Sequence, residues 1–249
     1  MVRQIFTLSA ATVLLAFACG AATRTPVVLE LFTSEGCSSC PPADQLIADL
    51  DKTQPIAGVD VIVLSEHVDY WNRLGWSDPF SSEVFSARQQ QYAKALHVED
   101  VYTPQAVVDG QLEAVGSNAA KLTQAVAKAA RQTKVPLELA ATRSDGKIEA
   151  RVRWDGAEKL HDSVVVYLAL AQNDTQSQVR AGENSGRMLK HVAVVRRIAE
   201  VGTLKANTPF SKETTLPYNS EWGSSGLRVI AFLQEKTSGR IIGAVQRKL

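Results

Sequence analysis

The feature that most constrains this chain is a short block where three signals meet. An apolar run, Val27 to Phe32, ends shortly before Cys37, Ser38, Ser39 and Cys40, and Pro41 and Pro42 follow at once. The run reads as a buried strand. The prolines suit the first turn of a helix, where a missing N–H costs little. Ala43, Leu46, Ile47 and Leu50 then recur at helical spacing. The cysteines therefore sit between a strand end and a helix start. Three apart, they can close a small disulfide. A thiol placed there also feels unpaired backbone N–H groups and the positive end of the helix dipole, which favours thiolate. This is a physical setting for thiol–disulfide exchange.

Ahead of this block lies a targeting segment. Arg3 gives a short positive region, Ile5 to Phe17 is mostly apolar, and Ala16, Phe17 and Ala18 resemble a signal peptidase site. The run is too short for a comfortable transmembrane anchor. Residues 1–25 read as a signal peptide and short leader, and no transmembrane helix is expected in the mature chain. Cys19 leaves two outcomes open: simple export, to the periplasm or the medium, or a lipid anchor on that cysteine. Removing residues 1–18 takes one base, Arg3, from 27 Lys and Arg against 26 Asp and Glu, leaving 26 of each. No long basic run is present, which argues against nucleic acid as a partner. An oxidising compartment would allow Cys37 and Cys40 to persist as a disulfide.

Further along, Val59 to Leu64 reads as a second strand. The stretch from Ser65 to Pro79 then packs His67, Asp69, Tyr70, Trp71, Trp76 and Asp78 together. Ser77 or Asp78 can cap a helix with Pro79 at its first position, running to about 97. Val101 to Gly110 reads as an extended entry, Pro104, a strand and an Asp109-Gly110 turn. Residues 112–115 return, and Asn118 caps a helix through Ala129. Beyond Lys134 the pattern is almost all strand: 135–142, 147–154, 163–171, 189–201, 227–234 and 240–247. Polar loops are expected at 172–187 and 205–225. This is the pattern of an antiparallel sandwich or barrel.

The order strand, Cys-x-x-Cys, helix, strand, helix, proline, strand, turn, strand, helix resembles the thioredoxin fold over about residues 26–131. Thr103-Pro104 stands where that superfamily carries its cis-proline. The resemblance implies an α/β thioredoxin-like domain over 26–131, with a helical insert at 66–98, and the strand pattern beyond it an antiparallel all-β sandwich-like domain over 135–249. It also implies that Pro104 acts beside Cys37 and Cys40, with Tyr102 and Thr103 supporting an extended substrate. The Ser38-Ser39 dipeptide and the insert depart from thioredoxin itself. The segments Glu30 to Asp44, His67 to Trp71, Gly75 to Ser82, Tyr102 to Pro104 and Gly182 to His191 are similar to a bacterial family catalogued as domain of unknown function 1223. That resemblance implies a thioredoxin-like, usually exported protein of unassigned activity, and gives no substrate.

In the exchange reading Cys37 attacks a substrate disulfide, or is attacked as half of the protein's own, and Cys40 resolves the mixed disulfide. The partner would be a protein or small-molecule thiol or disulfide of the cell envelope. Glu35 nearby opposes thiolate formation. Two other readings stay open. The disulfide is static and the protein a structural or binding module; or Cys37, Cys40 and His67, with Asp69 beside them, handle copper or zinc. Otherwise no cofactor is expected. Trp71 and Trp76 either line a substrate groove or pack the insert. Glu183, Asn184, Arg187 and His191 form a second cluster, which either joins the two halves or borders the cleft.

Overall fold

Alternation decides how the first strands bury. The computed structural model describes residues 24–144, 146–223 and 225–249; the expected signal peptide up to residue 23, with Cys19, lies outside them. In β1 (Thr25–Thr33) Val27, Leu29 and Leu31 join one apolar cluster, while Val28 and Phe32 join others. In β2 (Val59–His67), parallel to β1, Val59, Val61 and Val63 fall with the first set and Ile62 and Leu64 with the second face. Strands buried on both faces read as unbroken apolar runs. β3 (Gln105–Val108) pairs antiparallel with β1, and β4 (Leu112–Val115) with β3.

Helices cover both faces of this part. Ile47 and Leu50 of α1 (Pro41–Thr53) and Leu122 and Val126 of α3 (Ala119–Ala129) pack with Val27, Leu29, Leu31, Val61 and Val63. Phe85 of α2 (Glu83–Ala95) packs with Val28, Ile62 and Leu64 on the other side. The helix begins later than the sequence suggests. Ser82 caps it by accepting from Val84 N, whereas the Asp78 carboxylate is committed elsewhere, to His67 and to the backbone of Glu35 and Phe80.

The remaining strands are β5 (Glu138–Ser144), β6 (Lys147–Trp154), β7 (Val164–Gln172), β8 (Thr175–Gln178), β9 (Met188–His191), β10 (Val194–Leu204), β11 (Phe210–Pro217), β12 (Leu227–Glu235) and β13 (Ile241–Lys248). β11, β6 and β5 form a three-stranded sheet, whose Ile148, Val152 and Trp154 pack on Val166, Leu168, Val229 and Leu233 of β7 and β12. β8 and β9 form a separate hairpin. Two segments expected as polar loops therefore contain strands. The strand expected at 189–201 is broken at Ala193, where φ is +51°.

The expected thioredoxin-like α/β domain followed by a separate sandwich-like domain is overturned by the sheet. Strand outweighs helix, and a single mixed eight-stranded sheet, ordered β13-β12-β7-β10-β2-β1-β3-β4, runs through both parts. Pairing of β1 with β3 leaves the far edge of β2 open, and an open edge invites another strand. β10 takes it: Val194 pairs with Ser65 in parallel, Ser65 N donates to Ala193 O at 2.9 Å and Ser65 Oγ to Val192 O at 2.6 Å. One apolar cluster crosses this seam, with Val28, Ile62, Leu64 and Phe85 meeting Ala169, Val195, Ile230 and Phe232. Among the described residues no helix is long and apolar enough to cross a membrane.

Candidate functional site

The carboxyl ends of β1 and β2 and the start of α1 converge on the cysteine pair. Cys37 and Cys40 form a disulfide with Cα atoms 5.4 Å apart. Cys40 is the N-cap of α1, and Ala43 N and Asp44 N both donate to its carbonyl. Both cysteines are buried, while Ser38 and Ser39 between them face solvent. The Thr103-Pro104 peptide is cis. Its loop approaches α1 at Gly116: a Cβ built there would lie 3.2 Å from both Ala43 Cβ and Pro104 Cβ. Trp71 Nε1 donates to Thr103 Oγ1 at 2.8 Å.

The C-terminal half supplies much of the shell around this loop. Asn184 Nδ2 donates to the carbonyls of Glu35 and Cys37, at 2.9 Å each. Arg187 donates to Asn184 Oδ1 at 2.7 Å and fixes which way that amide faces. Glu183 accepts from Ser38 N at 2.9 Å, and these contacts lower its pKa. Glu35, fully buried, accepts from Trp76 Nε1 at 2.9 Å and from Ser177 Oγ, and lies 3.2 Å from His191 Nε2. The four residues of the second sequence cluster thus all reach the cysteine loop or its network.

Beneath the loop, Glu35, Asp44, His67, Asp78 and His191 form a buried ionisable group. Strand alternation sends His67 to the α1 side and Glu66 to the α2 side. His67 Nδ1 lies 2.7 Å from Asp78 Oδ2. Burial alone would lower the His67 pKa, but the Asp78 charge and hydrogen bond, with Asp44 and Glu35, leave it raised. Burial would raise Asp78, but His67 and the backbone N–H groups of Glu35 and Phe80 leave it lowered. Asp44 is raised by burial, with His191, His67 and the Thr33 hydroxyl pulling partly back. Its Oδ1 accepts from Thr33 at 2.9 Å, and its Oδ2 is 3.7 Å from His191 Nδ1. The two imidazoles lie edge to face, 4.7 Å between centroids.

Other expected site residues lie apart from this cluster. Asp69 turns to α2, accepting from Ser86 Oγ at 2.5 Å. Tyr102 donates its hydroxyl to Glu113. Sequence reading gave Asp78 only a capping role and passed over Asp44 and Ser177. Asp44 carried a signal, an acid one turn from Cys40 and next to the apolar positions of its helix. Ser177 carried none. A cavity of about 550 Å³ lies elsewhere, with Arg88, Tyr92, Tyr167, Glu200, Gln234 and Lys236 among its walls. It shares no residue with the cysteine cluster, so its size does not make it the reactive site. Among the described residues no three or more His, Cys, Asp or Glu side chains are arranged to hold a metal ion.

Comparison with known proteins adds a family and a fold. The family model described as protein of unknown function DUF1223 matches residues 28–234. No curated protein matches the chain. A crystal structure of an Agrobacterium tumefaciens protein is 27% identical, with a TM-score of 0.67 over 88% of this chain and 92% of that one. A domain of the outer membrane lipoprotein Omp28 of Porphyromonas gingivalis is 16% identical, with a TM-score of 0.32 over 47% of this chain and 88% of that one. The second superposition is too loose to carry an argument.

Proposed function

The chain belongs to the DUF1223 family, and from the setting of its disulfide we propose that it is an exported protein that carries out thiol–disulfide exchange. The observation that carries this is the Cys37–Cys40 bond at the amino end of α1, enclosed by a shell drawn from both halves of the chain. A structural staple would need no such shell, since three residues of separation remove little chain entropy. In the reductive direction a substrate thiolate attacks Cys37, forming a mixed disulfide and releasing Cys40 as thiolate. A second substrate thiol then displaces Cys37. The helix start favours thiolate on Cys37 when it is the free thiol. The partner is a thiol or disulfide of the cell envelope. Because both sulfurs are buried, the loop from Gly36 to Ser39 must shift for either to be reached.

The test is the reduction potential of Cys37–Cys40, measured by glutathione or dithiothreitol titration with alkylation of free thiols. A value between about −120 and −270 mV is expected, the range of catalytic dithiols. A value below about −300 mV, that of structural disulfides, would overturn the exchange reading in favour of a static one.

A further inference from the structure

Exchange leaves a proton to be placed. When an external thiolate forms a bond to Cys37 Sγ, the Cys37–Cys40 bond breaks and its electron pair stays on Cys40. Cys40 is fully buried, and an unpaired charge in such a place is costly. Some group must deliver a proton to it. Two observations locate that group. Cys40 has helical backbone angles, φ −79° and ψ −37°, and Asp44 N donates to its carbonyl at 3.1 Å. Residues four apart on a helix lie over one another, their Cβ atoms about 5–6 Å apart. Asp44 is therefore the acid one helical turn from Cys40, on the same face of α1. Secondly, the imidazole of His191 stands between two buried carboxyls. Its Nε2 is 3.2 Å from Glu35, and its Nδ1 is 3.7 Å from Asp44 with no hydrogen-bond partner. An imidazole flanked this way can take a proton on one nitrogen and release one from the other.

Resting on the exchange reading, we propose that Asp44 is the proton donor and acceptor for Cys40, and that His191, brought from the C-terminal half, relays that proton between Asp44 and Glu35. In the reductive step Asp44 gives its proton to the Cys40 thiolate as the S–S bond breaks. The Asp44 carboxylate is then held by Thr33 Oγ1 and faces His191, which returns a proton to it. Oxidation runs the same path backwards. The groups facing Asp44 are Thr33 from β1, His67 from β2, Asp78 from the loop before α2, and His191 from β9. Burial pushes the Asp44 carboxyl above the usual carboxylate range, the direction a proton donor requires. His67 is tied to Asp78, so it sets the charge around the relay rather than carrying the proton.

The test is the rate of disulfide reduction by dithiothreitol between pH 5 and pH 9, divided by the dithiothreitol thiolate concentration, for wild type, Asp44→Asn and His191→Gln. In wild type this corrected rate is expected to fall as pH rises and Asp44 loses its proton. Asp44→Asn should be slower by about 10-fold or more at the acid end, consistent with loss of a general acid, and should show no such fall. His191→Gln keeps the acid but should move the midpoint. Parallel profiles in all three would overturn the relay and leave exchange standing. If Asp44→Asn does not fold, an unmoved midpoint in His191→Gln overturns it instead. A wild-type disulfide that dithiothreitol does not reduce overturns the exchange reading, and the relay with it.

Discussion

His67 shows how one residue can tie stability to pH in this site. It is fully buried against Asp78, and its pKa is raised above the ordinary value of about 6.5. A raised folded-state pKa means that the folded protein binds that proton more tightly than the unfolded chain. The stabilisation is then fully present below about pH 6.5 and is lost as pH rises through the folded value. Asp78 has the opposite sign. Its lowered pKa contributes stability above about pH 3.9, lost as pH falls through the depressed value. Replacing His67 leaves Asp78 without its main partner, and removing one member of a buried pair costs about 3–5 kcal/mol. Denaturant unfolding of His67→Gln against wild type should show the larger deficit at pH 5.5 and a smaller one at pH 9. A deficit independent of pH would mean that His67 titrates alike in the folded and unfolded chain. The residue types were legible in the sequence, and their partners were not. Asp78 lies 11 residues from His67, and Glu35 lies 156 from His191. Nothing in local pattern reports contacts made across that much chain.

At the scale of elements, what was legible is what burial enforces. β1, β2, β7 and β12 are buried on both faces and announce themselves as apolar runs. β8, Thr-Gln-Ser-Gln, buries only Thr175, and β11 buries only Leu216. Such strands are held by pairing rather than by apolar area, so they carried no signal. The same logic explains α2, where the apparent cap at Asp78 loses to the site's demand for its carboxylate. Gly116 sits at a close junction between β1, α1 and the Pro104 loop. Its N–H donates to Pro104 O at 2.9 Å, and a Cβ there would come within 2.5 Å of Leu31 Cδ1 and 3.2 Å of Ala43 and Pro104. Leu31 is itself buried and has nowhere to retreat. Gly116→Ala should cost about 1–3 kcal/mol by overpacking, read as a lower urea midpoint with an unchanged slope. An unchanged midpoint would show that the Pro104 loop can move away from α1 freely.

The whole molecule is joined at the β10–β2 seam, and this is where the sequence misled. A change of pattern near residue 134 reads as a domain boundary, because helices stop and strands take over. Whether a sheet continues across such a change depends on which edge stays open, and that is a property of topology. Here the seam is a parallel bridge, Val194 to Ser65, backed by an apolar cluster with residues from both sides. Asp109 adds a second tie: Ile241 N donates to its carbonyl at 2.9 Å, and Lys134 Nζ lies 2.5 Å from its carboxylate. The cysteine shell is a third, since Asn184, Ser177 and His191 all bond to the loop between β1 and α1. Opening the seam would expose Val28, Ile62 and Leu64 on one side and Val195, Ile230 and Phe232 on the other. At about 1.5–3 kcal/mol per large apolar side chain, that exposure is comparable to the stability of a whole domain. Neither half should then survive unfolding of the other. Calorimetry of the oxidised protein should give one transition, with calorimetric and van't Hoff enthalpies equal. Two separable transitions would mean that the seam is a weak interface, and that His191 reaches Glu35 and Asp44 by docking rather than as part of one core.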